Sequence, residues 1–487
     1  MPKYFFKIKS LISSSFSQFI IIKYMTFFIQ FLNSILIAKY LGPFAFGIYS
    51  FLTLALQYFS YSTLGINYAV NTIISTKKQK IEIVKKVWQN SLGVILIITL
   101  FLFAFGLIFS YFKIDGLEKY SYSKYSFLLV CITITYNYNL LLSNLFRIYG
   151  KLKQINFYEG IGPFLILIAL IYFKDEIEVI HIVYCLLIKN ILSFIVFNIG
   201  TPLSFIFNLE LRISKILILR GLNLLIYNLS FIFIIVSSRT LVSIFYSVED
   251  LANYSFANSL SYNLLMVAGV FSFLFYPKMI NKFSVEKDKG KINLLIKKIN
   301  SYYLEGIYFL AFISFLLLPI LTIYLDQYES MLNIFKILVI GQVLISSTFA
   351  HSTYLIAINK ESLLTKTGLI SIILIVFFGS ILSILDFSIE IMTLSVLIAS
   401  VYYLFTIVKM ASRRLSSSEN LLKLLSSTIP TTKTIPLIII LLSVFYDSHF
   451  TLPVIALFIY LYTHYKQLVI IIKNALPLIL DRNILKF

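Results

Sequence analysis

The stretch Ala38-Lys39-Tyr40-Leu41-Gly42-Pro43-Phe44-Ala45-Phe46-Gly47-Ile48-Tyr49-Ser50-Phe51 closes one long apolar segment and opens the next without a polar loop between them. Glycine supplies dihedrals that other residues resist, and proline ends one helix while suiting the first turn of another. The pair Gly42-Pro43 therefore reads as a tight helix-to-helix connection. A weaker copy lies further along: Gly47-Ile48-Tyr49-Ser50 falls on Ala252-Asn253-Tyr254-Ser255 at an offset of 205 residues (47 to 252). A second pair of turns, Arg147 to Lys151 and Ile356 to Lys360, matches at an offset of 209 (151 to 360). Nearly equal offsets imply a duplicated chain, with two helical halves in parallel topology.

Outward from that stretch the chain stays apolar. Of 487 residues, 59% are hydrophobic and 13% charged, with a mean hydropathy of +0.91. Segments of about twenty apolar residues, enough for a bilayer core of roughly 30 Å, recur from end to end. The periodicity places fourteen spans: 15–38, 45–68, 88–112, 125–146, 154–173, 180–200, 221–246, 254–276, 301–325, 331–357, 367–385, 391–408, 430–446 and 451–472. The fold class is all-α and polytopic, with about 14 transmembrane helices: two six-helix halves facing a central cavity, plus two C-terminal helices. The boundaries drawn are 1–200 for the first half, 201–220 for a cytoplasmic linker, 221–409 for the second half, and 410–487 for a loop, two extra helices and a tail. The basic start, Lys3, Lys7 and Lys9, precedes an apolar run too long for a signal peptide, and is read as leading into a retained first span.

The formal charge of +20 would suggest nucleic acid in a soluble protein. Here the cations concentrate in alternate loops, those on the N-terminal side, while acids collect in the others, as in Lys174-Asp175-Glu176 and Glu249-Asp250. That is the positive-inside pattern, with both termini cytoplasmic and anionic lipid as the partner. It speaks against nucleic acid. Four inner loops are the longest, at Thr76 to Lys86, Thr201 to Arg220, Lys278 to Asn300 and Met410 to Thr428. In the second, Leu203 to Leu219 reads as a helix lying in the membrane interface. The outer loops are short turns, too small for the acceptor-holding domain of a glycan polymerase.

Charged and polar residues inside the spans are the candidate site, because an ionisable group in a bilayer needs water, a partner or a function. Lys23, Thr26, Gln30 and Asn33 share one face of the first span, and Ser34 extends it. In the repeat alignment Lys23 falls on Asn228 and Ser34 on Arg239, so each half carries one cation on corresponding stripes. Lys23 and Arg239 are read as two stations for an anion, or as residues that snorkel to opposite interfaces. Lys189, beside Asn190, is central in its span and serves either a ligand or a contact to backbone or Tyr184. Lys336 reads as snorkelling outward. Arg147 ends the stripe Thr133, Asn137, Asn144, as a contact at the inner mouth or an ordinary positive-inside residue. Further stripes are Gln57, Tyr61, Tyr68 and Asn71, and Ser255, Asn258 or Ser259, and Tyr262. Glu159 and Glu305 each read as sitting in an early helical turn, stabilised by the helix's positive end, or as coupling a proton or sodium ion. Glu159 could also pair with Arg147.

Cys131 and Cys185 lie within spans and read as packing residues. The histidines His181, His351, His449 and His464 are scattered without ligand spacing, so no metal is expected. No phosphate-binding loop of the nucleotide-hydrolase type occurs, and no cofactor is implied. The chain is not read as an enzyme.

Leu41-Gly42-Pro43, Phe46-Gly47-Ile48-Tyr49-Ser50 and Leu64-Gly65, with Arg239, Tyr254-Ser255 and Tyr276-Pro277 in the second half, resemble the polysaccharide-transport branch of the multidrug/oligosaccharidyl-lipid/polysaccharide exporter superfamily. These are flippases for O-antigen or capsule repeat units. The resemblance departs at Ser238, where the pattern often has Asp before the Arg. It implies a carrier in the bacterial inner membrane that moves a polyprenyl-pyrophosphate-linked oligosaccharide to the outer leaflet by alternating access, with glycan polymerase and chain-length machinery as partners. The 34 Tyr and 46 Phe offer ample aromatic surface for sugar rings. The rivals are an ion-coupled multidrug exporter of the same superfamily and a lipid-linked sugar polymerase.

Overall fold

In the computed structural model, residues 15–77, 79–111, 115–415, 428–446, 448 and 450–480 are described, with side chains described from Ile21 onward except at 110, 115, 231, 265–275, 277–278 and 471–480. Lys3, Lys7, Lys9, His449, most of the 410–428 loop and the tail beyond 480 fall outside them. Every regular element among the described residues is helical. In chain order they are α1 (Ser15–Phe59), α2 (Ile66–Thr76), α3 (Ile81–Tyr111), α4 (Asp115–Glu118), α5 (Tyr122–Ile148), α6 (Leu152–Phe173), α7 (Val179–Gly200) and α8 (Leu211–Phe245). Then follow α9 (Val248–Val285), α10 (Lys289–Ile323), α11 (Met331–Ser346), α12 (Phe349–Ala357), α13 (Glu361–Ile384), α14 (Ile389–Arg414), α15 (Thr431–Phe445) and α16 (Thr451–Leu480). Among the described residues ten helical stretches are long and apolar enough to cross a membrane, and two shorter apolar ones, Ile232–Phe245 and Thr431–Phe445, add to them. The protein is a polytopic helical membrane protein.

The stretch at Gly42 behaves as its residues require. Gly42 has φ 69° and ψ 171°, so α1 is two helices meeting there, with Pro43 opening the second. Gly47, one turn on, allows a close crossing: a Cβ at this position would lie 2.1 Å from the Val248 carbonyl oxygen. The break between α8 and α9, at Tyr246 and Ser247, comes where an offset of 205 from Gly42 puts it.

The other matched turns share their hydrogen bonding atom for atom. After α5, the amides of Tyr149, Gly150 and Lys151 donate to the carbonyls of Leu145, Arg147 and Phe146 at 3.1, 3.1 and 2.9 Å. After α12, Ile358, Asn359 and Lys360 donate to Tyr354, Ile356 and Leu355 at 3.2, 2.9 and 2.9 Å. Gly150 and Asn359 both adopt positive φ, 71° and 55°, the left-handed cap that closes such helix ends.

Several sequence expectations are corrected. The segment 203–210 is not an interfacial helix. It runs as irregular chain against α3, where the Asn208 amide donates to the Gln89 carbonyl at 3.1 Å, the Glu210 amide to Asn90 Oδ1 at 2.6 Å, and Trp88 Nε1 to the Ser204 carbonyl at 3.1 Å. These bonds satisfy backbone groups that a helix would have paired internally. From Leu211 a single helix continues to Phe245. The inner loops 76–86 and 278–300 are mostly helix, since α3 begins at Ile81, α9 runs to Val285 and α10 starts at Lys289 with Asp288 as its cap. Hydropathy marks the bilayer, whereas these helices extend beyond it.

The described chain divides into two compact units. One comprises residues up to Leu229 together with Ser247–Ala252, and the other Ser230–Tyr246 together with Asn253 onward. The first unit packs around Trp88, Leu141, Leu145, Phe146 and Phe197, all buried. In the second, Phe312, Tyr308 and Tyr460 stack in the interior. Several interior hydroxyls in the second unit return to their own helices. Thr367, Ser371, Ser383, Thr393 and Ser400 each donate to the carbonyl four residues earlier at 2.7–3.0 Å, so these five hydroxyls are satisfied within their own helices.

Candidate functional site

The first unit gathers an accessible cluster of charged side chains. Lys23 on α1 projects towards α6, and its Nζ lies 3.3 Å from Glu159 Oε2 and 3.5 Å from Oε1. Both side chains are 34% exposed, so the pair is reachable rather than sealed. Glu159 is two turns into α6, which begins at Leu152, and its partner is Lys23. Arg147 is exposed at the end of α5 and donates to Asn144 Oδ1 at 2.8 Å. The early-turn reading and the Arg147 pairing of Glu159 are thus both replaced.

Lys189 on α7 reaches the same helix from the other side. Its Nζ stands 4.7 Å from the centroid of the Tyr158 ring, a cation–π distance, and Glu159 is within electrostatic range of it. The partner expected from the sequence was Tyr184, which instead points outward and is exposed. The Lys189 stem lies against Gly162, where a Cβ would come 2.9 Å from its Cδ. Two ammonium groups and one carboxylate therefore share α6 between residues 158 and 162.

Polar residues flank this trio. Thr26 is buried one turn beyond Lys23, with its hydroxyl 3.7 Å from the place a Cβ of residue 160 would occupy. Asn33 donates to the Pro163 carbonyl at 2.8 Å. Proline at 163 has no N–H for the Glu159 carbonyl, so the turn that carries the site lacks one helical bond. Asn139 donates to the Asn190 carbonyl at 2.7 Å, and Asn137 to Ser62 Oγ at 3.0 Å. The hydroxyls of Tyr158, Tyr136, Tyr68 and Tyr61 lie in electrostatic range of one another in succession, and Gln57 bonds Tyr61. Tyr136 and Tyr158 were not singled out in the sequence; a tyrosine directly before an intramembrane Glu was the available signal.

Gln30 is half-buried on the same helix as Lys23, and its backbone carbonyl accepts a bond from Ser34 at 2.9 Å. Asn228, the repeat partner of Lys23, bonds its own helix at the Leu224 carbonyl, 2.8 Å.

In the second unit Arg239 Nε donates to Ser255 Oγ at 3.0 Å. Ser238 accepts the buried Tyr254 hydroxyl at 2.6 Å, so the position next to the Arg carries a hydroxyl pair. Asn258 is half-buried on α9 and Tyr262 is exposed there.

Glu305 has another role. It is buried well inside α10, sixteen residues past Lys289, rather than in an early turn. Its Oε1 lies 2.7 Å from Lys433 Nζ of α15 and 3.0 Å from His464 Nδ1 of α16, and Oε2 accepts the Tyr460 hydroxyl at 2.9 Å. His464 Nε2 pairs with Thr432 Oγ1 at 3.0 Å, and Lys433 stands 5.2 Å from the Tyr308 ring centroid. Lys433 and Glu305 side chains are 4% and 3% exposed. This cluster binds the two C-terminal helices to α10. Sequence reading missed it because Lys433 lies near the start of its span, where it passes for a positive-inside residue. Lys336 is also buried, at 1% exposure, and donates to the Ser448 carbonyl at 3.1 Å, so it does not snorkel.

No protein-family model matches the chain, and no curated protein matches it in sequence. Solved structures do match its fold. The lipid II flippase MurJ in an inward closed conformation aligns with a TM-score of 0.65 at 17% identity, over 93% of this chain and 99% of that one. An inward-facing multidrug resistance MATE family transporter of the MOP superfamily aligns with a TM-score of 0.63 at 13% identity, over 82% and 95%. A MATE protein in its straight conformation gives 0.54 at 13% identity, over 86% and 96%. The chain shares the fold of these solved structures.

Proposed function

We propose that the protein is a flippase that carries a polyprenyl-pyrophosphate-linked oligosaccharide from the inner to the outer leaflet of a bacterial inner membrane, by alternating access. The observation that carries this reading is the meeting of Lys23 and Lys189 on the Glu159 turn, beside the Tyr158 ring. Two ammonium groups suit a pyrophosphate, and phenols suit hydroxyl-rich sugar rings by stacking and hydrogen bonding. Arg239 in the other unit serves as a second anion station. The likeness to a lipid II flippase supports a lipid-linked cargo. The O-antigen or capsule class, the polymerase and chain-length partners, and cytoplasmic termini belong to the same proposal. They are supported by the resemblance at Leu41 to Ser50 and by the charge asymmetry of the loops.

The one-third-exposed carboxylate of Glu159 favours a second reading, export of an organic cation, which the MATE likeness also accommodates. The two are separated by leaflet assignment in cells depleted of the protein, using a membrane-impermeant sugar-binding probe on spheroplasts. The flippase reading expects assembled lipid-linked units to accumulate on the inner face. Units that reach the outer face at the normal level remove it.

A further inference from the structure

A phosphate needs the cations that an internal carboxylate already holds. Lys23 is paired with Glu159 at 3.3 Å through side chains that are each one-third exposed, and Lys189 reaches the same turn over Tyr158. The carboxylate thus stands where an incoming anion would have to stand to contact Lys23 and lie in the field of Lys189. Resting on the flippase reading, we propose that Glu159 is the resident counter-ion of the site: it pairs with Lys23 while no cargo is bound, and the phosphate of a lipid-linked cargo displaces it.

The geometry equips Glu159 for this exchange. Its pair with Lys23 is accessible, in contrast to the Glu305–Lys433 pair, which is sealed at 3–4% exposure. Exposed pairs are held weakly and exchange readily, whereas sealed ones do not. Pro163 removes the helical bond to the Glu159 carbonyl, which frees that turn to adjust. Lys189 has an aromatic partner in Tyr158, so it keeps a favourable contact whether or not the carboxylate stays near. The consequence is a site whose affinity is tempered. A phosphate must compete with Glu159 to bind, and Glu159 competes with it for release. A carrier that bound its anion without such competition would retain it, since transport requires similar affinities at both stations.

The test is pyrophosphate binding to the purified full-length protein in phosphatidylcholine nanodiscs, by calorimetry, for wild type, Glu159→Gln, Glu159→Ala, Lys23→Gln and Lys23→Gln/Glu159→Gln. Intrinsic fluorescence melts confirm that each variant is folded, and either Glu159 substitution suffices if the other fails to fold. The expected result is at least about tenfold tighter binding on removal of the carboxylate, with that gain abolished by Lys23→Gln. Equal affinity in wild type and both Glu159 variants overturns the counter-ion while leaving the anion site standing. Absence of pyrophosphate binding in every variant overturns both. Loss of tetraphenylphosphonium binding in Glu159→Gln, with pyrophosphate unaffected, makes the carboxylate a cation site and also overturns the proposal. Repeating the titration with phosphatidylglycerol in the discs separates cargo from membrane lipid. An undiminished gain supports a cargo phosphate, and its disappearance assigns the anion to a lipid headgroup and overturns the cargo assignment.

Discussion

Glu305 offers the sharpest energetic test of how the chain is held together. Replacing it by Gln removes the partner of Lys433, whose ammonium lies 2.7 Å away and is 4% exposed. The remaining charge would be buried against Tyr308 and Tyr460 with no counter-ion on Glu305. Breaking a buried pair from one side typically costs about 3–5 kcal/mol, while removing both charges together is often close to neutral. Glu305→Gln and Lys433→Met should therefore each destabilise the protein by about 3 kcal/mol or more. The double variant should recover most of that loss, to within about 1.5 kcal/mol of wild type, giving a coupling energy well outside additivity. Equilibrium unfolding in mixed micelles with steric trapping on α16 reads the local free energy. Single variants within about 0.5 kcal/mol of wild type, the range of ordinary surface changes, would refute the assignment of this cluster as the anchor of the C-terminal helices. So would a double variant as unstable as the sum of the singles.

Three further outcomes follow from individual contacts. Tyr158→Phe keeps an aromatic face under Lys189 and should leave pyrophosphate affinity within about threefold, whereas Tyr158→Leu should lower it by about 0.5–2 kcal/mol, measured by the same titration. Gly47→Ala puts a methyl group 2.1 Å from the Val248 carbonyl oxygen, an overpacking that should lower stability by about 1–3 kcal/mol in unfolding experiments. Ser238→Ala leaves the buried Tyr254 hydroxyl without the acceptor it now has at 2.6 Å, for a loss of about 1–3 kcal/mol that Tyr254→Phe in the same chain should largely restore.

Much of this architecture could be read before any coordinates, because the bilayer imposes a strong pattern on sequence. Each of the fourteen apolar segments corresponds to helical structure, and the turn at Gly42 is where glycine and proline together demand a break. The turns after α5 and α12 have identical bonding at the spacing that the sequence suggested, since glycine adopts positive φ freely and asparagine tolerates it better than most residues. Helix ends were less legible. Hydropathy falls at the membrane surface, yet α10 begins twelve residues earlier than the apolar pattern, because Asp288 accepts from the amides of Gly290 and Lys291 and starts the helix there.

The site divides along similar lines. The stripe from Lys23 to Asn33 was visible because helical periodicity is a local property. The partners of that stripe, Glu159 and Pro163, lie 136 and 130 residues away, and periodicity carries no information about which helices meet. The same limit hid the pairing of Glu305 with Lys433 and His464, which belong to helices more than a hundred residues downstream. The non-helical backbone at 203–210 was misread as helix for a related reason: apolar residues there pack against α3, and the amides of Asn208 and Glu210 are satisfied by Gln89 and Asn90 rather than by a helix of their own.

The most direct test of the central claim is translocation in a purified system. Proteoliposomes loaded with a short-chain polyprenyl-pyrophosphate oligosaccharide should show protein-dependent movement of the sugar between leaflets, read by protection from an external glycosidase. The account predicts faster equilibration with wild type than with protein-free liposomes, and a drop to near the protein-free rate for Lys23→Gln/Lys189→Gln. Translocation by that double variant at the wild-type rate would contradict it.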